Sequence, residues 1–135
     1  MVIRPDLSKK ERLKMNNSIA VVILTFNEEI HIERCIRSAQ QVTDKIVVVD
    51  SYSTDDTCAI AQRMGAVVYQ HAFENHARQF NWAMENCDIQ AHWIWRLDAD
   101  EYIEPTLAEK ALNAIVEGSF EGGNVVLHAD TDSTG

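Results

Sequence analysis

Three polar clusters in this sequence have residue types that could do chemistry. Asp98-Ala99-Asp100-Glu101 sets two carboxylates on either side of one small residue, with a third directly after. Asp50-Ser51-Tyr52-Ser53 puts a carboxylate ahead of three hydroxyl residues, and Thr25-Phe26-Asn27-Glu28 combines a hydroxyl, an amide and an acid. Carboxylate oxygens are hard donors. Mg²⁺ and Mn²⁺ bind through one or two of them and complete their shells with substrate phosphates and water. A cation held that way offsets the charge that grows on a departing diphosphate, which is Lewis-acid catalysis. Asp98 and Asp100 are the candidate metal pair, with Asp98 alternatively on ribose hydroxyls. An acidic pair alone is commonly a cap or a solvated turn. The weight comes from three clusters in one chain.

To cooperate, the clusters must reach one rim, and each follows an apolar run. Residues 18–25 (SIAVVILT), 45–50 (KIVVVD) and 92–97 (HWIWRL) are rich in β-branched or aromatic residues. That is the pattern of strands buried on both faces. Residues 66–69 and 124–128 predict two more strands. Asn27 offers a helix cap, with Glu28 and Glu29 in the first turn and Ile32, Cys35, Ile36 and Ala39 at helical spacing. A second helix follows Asp55 and Asp56 and stops at Gly65, a left-handed cap. Residues 71–75 read as a loop. A third helix, residues 76–86, carries Ala77, Phe80, Met84 and Cys87 near one face. Pro105 opens a fourth, with Leu107, Ala111, Leu112 and Ile115 as its stripe and Gly118 as its stop.

Alternating strands and helices predict an α/β fold: a mostly parallel, Rossmann-like sheet with helices on both faces. In such a sheet the ligand sits beyond the carboxyl ends of the strands, where strand order reverses. All three clusters belong to that edge. No glycine-rich phosphate loop follows the first strand, which disfavours a Rossmann dinucleotide site and a Walker-type site.

The 135 residues, 46% hydrophobic, suit one domain. The expected organisation is a basic polar leader (residues 1–17), a domain (residues 18–128) and a disordered tail (residues 129–135). The net charge of −9 argues against a nucleic-acid partner. In the leader, Arg4, Lys9, Lys10, Arg12 and Lys14 face only Asp6 and Glu11. Such a segment is either a solvated terminus or a weak peripheral contact for an anionic membrane surface. No apolar run approaches the roughly 18–20 residues of a membrane span. The N-terminus lacks a signal-peptide apolar stretch, so the expected location is cytoplasmic, with the inner membrane face as the peripheral option. Cys35, Cys58 and Cys87 are scattered without a CxxC pair, which favours free thiols over zinc or disulfides. An incomplete sheet would leave an apolar edge that invites self-association.

Residues 19–104 resemble the N-terminal, nucleotide-sugar-binding half of family 2 glycosyltransferases of the GT-A type. The pattern AVVILTFNEE, then KIVVVDSYSTDDT, then WRLDADE is similar to that family in order and spacing. HARQFNWA (residues 76–83) resembles a subgroup that adds sugars to lipopolysaccharide cores. The resemblance implies that Asp50 contacts the nucleobase and that Thr25, Asn27 and Glu28 line the nucleotide pocket, with Ser53 contributing. It implies that Asp98 contacts ribose or metal, that Asp100 is a metal ligand, and that Arg78 and Asn81 lie on a helix approaching the nucleotide. It further implies a Mg²⁺- or Mn²⁺-dependent transfer, with inversion, from a nucleotide-diphosphate sugar, UDP favoured, to a glycan or lipid-linked acceptor.

Structural alternatives stand beside these roles. Thr25 and Asn27 could start a helix, Ser53 could be a cap, and Arg78 could pair with Glu74. His71, His76 and His128 read as ordinary loop or strand-end residues. Trp82, Trp93 and Trp95 read as packing. Family members place a general base well downstream of the acidic pair, and no motif among the 35 residues after Asp100 supplies one. The competing expectation is therefore a truncated module that binds nucleotide sugar without turnover. A phosphatase with Asp98 as nucleophile fits poorly, because Glu101 and Tyr102 stand where such sites want Thr or Val.

Overall fold

The computed structural model describes residues 2–3, 18–117 and 130–131. In chain order these form β1 (Val2–Ile3), β2 (Ile19–Thr25), α1 (Ile32–Ala39), β3 (Ile46–Asp50), α2 (Thr57–Arg63), β4 (Val67–Gln70), α3 (His76–Asn86), β5 (Trp93–Asp98), β6 (Glu101–Tyr102), α4 (Pro105–Glu117) and β7 (Asp130–Thr131). The strand expected at residues 124–128, the stop at Gly118 and most of the leader lie outside the described residues.

β2 is buried at every position because the sheet covers both of its edges and helices cover both of its faces. The strand order is β1-β5-β2-β3-β4. β5, β2, β3 and β4 are parallel, and β1 pairs antiparallel on the β5 edge. Val2 and Ile3 thus belong to a strand within a leader whose composition showed none. The chain steps from β2 to β3 to β4 in one direction, then returns to the far side of β2 as β5. Crossovers in opposite directions place their helices on opposite faces. Accordingly Ile19, Val21 and Ile23 pack with α1, α2 and α4. Ala20, Val22 and Leu24 pack with Ala83 of α3 and with Cys87 just past its end.

Several boundaries differ from the sequence expectation for local reasons. α1 begins at Ile32 rather than beside Asn27. Asn27 is left-handed (φ 50°), a conformation that Asn tolerates better than most residues. Its side-chain oxygen accepts a bond from Thr54 N (2.8 Å) instead of capping a helix. α3 keeps its expected limits, and Asn75 caps it by accepting from Arg78 N (2.9 Å), a bond worth about 1 kcal/mol. Its buried line is Gln79 and Ala83, continued by Cys87, with Phe80 and Met84 partly covered and Ala77 exposed. On α4 the buried stripe is Ala108, Ala111 and Ile115, while Leu112 is exposed. Gly65, at φ 93°, ends α2 as expected. β4 is a half-covered edge strand. Asp130 and Thr131, expected in the tail, pair with Tyr102 and Glu101. Two-residue ladders rest on backbone groups, which side-chain patterning does not reveal.

Among the described residues no helix is long and apolar enough to cross a membrane.

Candidate functional site

A cleft of ≈ 650 Å³ opens at the carboxyl ends of β2, β3 and β5, where the strand order reverses. Thr25, Phe26 and Glu28 line it from β2 and the turn that follows, and Ser51 and Tyr52 from the turn after β3. Phe73 lines it from the loop after β4, His76 and Gln79 from α3, and Asp98 and Asp100 from the tip of β5. Phe26, Tyr52 and Phe73 keep about half or more of their surface in solvent. The rim is therefore aromatic and the interior acidic.

Two polar atoms at this edge are buried without a hydrogen bond: Thr25 Oγ1 and Asp98 Oδ1. His76 Nδ1 lies 3.5 Å from that Asp98 oxygen, beyond good hydrogen-bond range. A buried polar atom left unpaired costs about 1–3 kcal/mol, more when charged. The backbone around Asp98 is, in contrast, tightly held. Asp98 N donates to Glu101 Oε1 (2.7 Å) and Ala99 N to Leu24 O (3.1 Å). α1 grips the same turn from behind: Cys35 Sγ donates to Asp98 O (3.8 Å), Arg34 to Asp100 O (3.2 Å), and Ser38 Oγ accepts from Ile103 N (2.9 Å). Arg34 also lies over the Tyr102 ring. Burial holds the Glu101 carboxyl above its ordinary range, and the charges of Asp98 and Asp100 add to the rise against the bond from Asp98 N.

Asp50 occupies a different environment. β-Strand side chains alternate faces, and Ile46 and Val48 belong to the α1/α2 side, so Asp50 points there too. Leu97 and Ala99 also belong to that side, which turns Asp98 the other way, toward α3. Asp50 is fully buried. Its two oxygens accept from Ser53 N (2.8 Å) and Ser53 Oγ (2.5 Å). Ser53 Oγ in turn accepts from Asn27 N (2.7 Å). Glu28 N donates to Thr57 Oγ1 (2.9 Å), Glu29 N donates to Asp55 Oδ2 (3.2 Å), and Asp56 N donates to Glu29 Oε2 (3.2 Å). Asn27 and Ser53 therefore join the β2 and β3 turns to each other. Neither they nor Asp50 form the cleft wall.

α3 also differs from expectation in the face it presents. Arg78 is exposed and pairs with Glu74 (2.5 Å), and Asn81 is exposed outside the cleft lining. His76 and Gln79 face the cleft instead. Residues three apart share a helix face, whereas residues two apart lie about 200° around it, so Arg78 and Asn81 turn away when His76 and Gln79 turn in. Gln79 is a buried polar hub. Its amide donates to His71 O (3.0 Å) and Ser51 Oγ (3.1 Å), and its carbonyl lies 2.7 Å from His71 Nδ1. His71 stacks on Trp82. The expected helix start at residue 76 lets this face be counted, but nothing in the sequence flags Gln79 as buried.

Residues 20–133 match the profile of glycosyl transferase family 2. The chain belongs to that family. It is 35% identical over 71% of its length to an uncharacterized glycosyltransferase of Rickettsia conorii, covering 33% of that protein. It is 32% identical over 67% of its length to the lipopolysaccharide core biosynthesis glycosyltransferase LpsC of Rhizobium meliloti, covering 34%. The chain thus spans about a third of the length of these relatives. Among solved structures it resembles glucosyl-3-phosphoglycerate synthase from Mycobacterium tuberculosis. In that enzyme's complex with Mn²⁺ and UDP-glucose the TM-score is 0.60 at 23% identity, covering 85% of this chain and 45% of that one. In its complex with Mn²⁺, UDP and glucosyl-3-phosphoglycerate the values are 0.51 and 26%, covering 73% and 39%. The fold is that of a GT-A glycosyltransferase.

In this family 2 chain the described residues include no group of three or more His, Cys, Asp or Glu side chains placed to hold a metal unaided. Asp98 and Asp100 nonetheless suit a hard divalent cation. They offer two carboxylates on one wall of the cleft, and one oxygen of Asp98 is buried and unbonded. Magnesium-type sites commonly use one or two carboxylates and take their remaining ligands from phosphates and water.

Proposed function

We propose that this chain provides the nucleotide-sugar-binding part of a glycosyltransferase acting on a UDP-sugar, with Mg²⁺ or Mn²⁺ held by Asp98 and Asp100. The sugar would pass, with inversion, to a glycan or lipid-linked acceptor of the cell envelope, such as a lipopolysaccharide core, on the cytoplasmic side. The observation that carries the proposal is the unbonded Asp98 Oδ1 in a cleft at the strand-order reversal. The names of relatives support it: one acts in lipopolysaccharide core biosynthesis, and another binds Mn²⁺ and UDP.

When bound, the cation supplies Lewis-acid stabilisation of the leaving diphosphate. The chain's own residues position the donor. Thr25 and Glu28 line the side formed by β2, and Phe26, Tyr52 and Phe73 offer flat apolar faces for a base or sugar ring. Asp50, Ser53 and Asn27 fix the turns that carry these groups. Asp98 and Asp100 would hold the cation from a backbone that α1 holds still. Preorganisation of this kind saves the reorganisation that a loose turn would need at each turnover.

Isothermal calorimetry with UDP, with and without Mn²⁺, tests the proposal. We expect Mn²⁺-dependent binding and a rise in melting temperature. No heat and no thermal shift in either condition would refute it.

A further inference from the structure

We infer that His76 contacts the diphosphate of the bound donor from the α3 side of the cleft, beside Asp98. This inference rests on the nucleotide-sugar reading above and adds a residue to it. Among the described residues lining the cleft, Glu28, Asp98 and Asp100 carry negative charge, and His76 is the one side chain able to carry positive charge. A diphosphate entering such a cleft needs a hydrogen-bond donor among the acids, and His76 supplies one. Its Nδ1 lies 3.5 Å from Asp98 Oδ1, so a phosphate oxygen seated beside Asp98 falls within reach of the same ring. The ring's position is set twice. His76 is the first residue of a helix capped by Asn75, and Phe73 meets the imidazole edge-on with centroids 5.2 Å apart. The side chain is otherwise open to solvent, which leaves the ring accessible to a ligand in the cleft. An imidazole always carries at least one N–H. The contact therefore needs no change in protonation, only a tautomer that presents its hydrogen to the phosphate.

The experiment compares wild type, His76→Ala and His76→Gln by calorimetry with UDP and Mn²⁺, by NMR titration with uridine, and by Mn²⁺ binding alone. Loss of one charge-assisted hydrogen bond should weaken UDP binding by His76→Ala about tenfold. Uridine affinity, Mn²⁺ affinity and melting temperature should stay near wild type. His76→Gln, which keeps an N–H donor, should recover part of the loss. Equal UDP affinity in His76→Ala and wild type overturns the inference and leaves the nucleotide-sugar reading standing. An equal loss for uridine also overturns it, by making His76 a general support of the cleft. A wild-type chain that binds no UDP overturns both.

Discussion

Asp50 and Asp98 close strands on either side of β2, yet their side chains leave the sheet on opposite faces. Asp50 is buried toward α2, where Ser53 occupies both of its oxygens. The Cys58 thiol beside it is pushed up to about 11, by burial first and then by Asp50. Asp98 turns toward α3 and keeps one oxygen unbonded. The two acids therefore differ in role, one holding the turns and the other lining the cleft.

Asp100→Ala should remove most Mn²⁺-assisted UDP binding without unfolding the chain. Arg34 holds the Asp100 carbonyl, not its carboxylate, so the turn should survive truncation of the side chain. We expect UDP affinity in Mn²⁺ to fall at least about tenfold and stability to change by less than about 0.5 kcal/mol. Calorimetry and thermal melts check the two parts separately. Unchanged affinity for the metal–UDP complex would remove Asp100 from the metal site.

Ser53→Ala should be a stability variant rather than a binding one. The hydroxyl donates to buried Asp50 and accepts from Asn27 N, and its loss leaves a buried carboxylate oxygen short of a partner. The expected cost is about 1–3 kcal/mol, read from urea unfolding. A full-strength fold paired with lost UDP affinity would show instead that Ser53 touches the nucleotide.

Arg78→Ala and Gln79→Leu make a contrasting pair on adjacent residues. Arg78 forms an exposed i,i+4 pair with Glu74, so its removal should cost less than about 0.5 kcal/mol. Gln79→Leu strips the partners of Ser51 Oγ, His71 O and the His71 ring, and should cost roughly 1–3 kcal/mol. Chemical denaturation of both variants gives the comparison. A large drop in UDP affinity for Arg78→Ala alone would restore the role that the family resemblance implied for it.

Asp55 gives a pH test. Burial alone would raise its carboxyl, but the Thr57 hydroxyl, then the amides of Thr57 and Glu29, outweigh that and hold it below its ordinary value of 3.8. A depressed folded value means that the stabilisation is present above the unfolded value and is lost as pH falls through the folded one. The stability gap between wild type and Asp55→Ala should be constant near neutrality and close as pH falls below the ordinary carboxylate range. A gap that stays constant through that fall would show that the bonds do not favour the ionised form.

Much of this arrangement was legible because it follows from local rules. Apolar β-branched runs named the central strands, and Pro105 and Gly65 marked helix ends. The strand-end rule locates the cleft at the carboxyl ends of β2, β3 and β5. The errors also have definite causes. Asn27 reads as a cap, but Asn also tolerates a left-handed backbone, and only the neighbouring Thr54 decides between them. The pleat of β3 could be counted from Ile46 to Asp50, but which face holds the cleft depends on where α3 crosses. Gln79 escaped notice because an apolar-stripe rule cannot see a buried amide whose partners, Ser51 and His71, come from other segments. His76 was passed over because its counterpart, Asp98, lies on a strand beyond the next turn.

β2 has a kinetic consequence. It is covered by neighbours on both edges and by helices on both faces, so its amides should exchange with solvent only through opening of the whole domain. The loop that carries Phe73 is exposed along most of its length and belongs to the quickly exchanging part of the molecule. A ligand would thus meet one wall that keeps its shape over hours and one that yields within a much shorter time. The slow wall would keep the outline of the cleft, and the fast wall would adjust to the ligand it takes in.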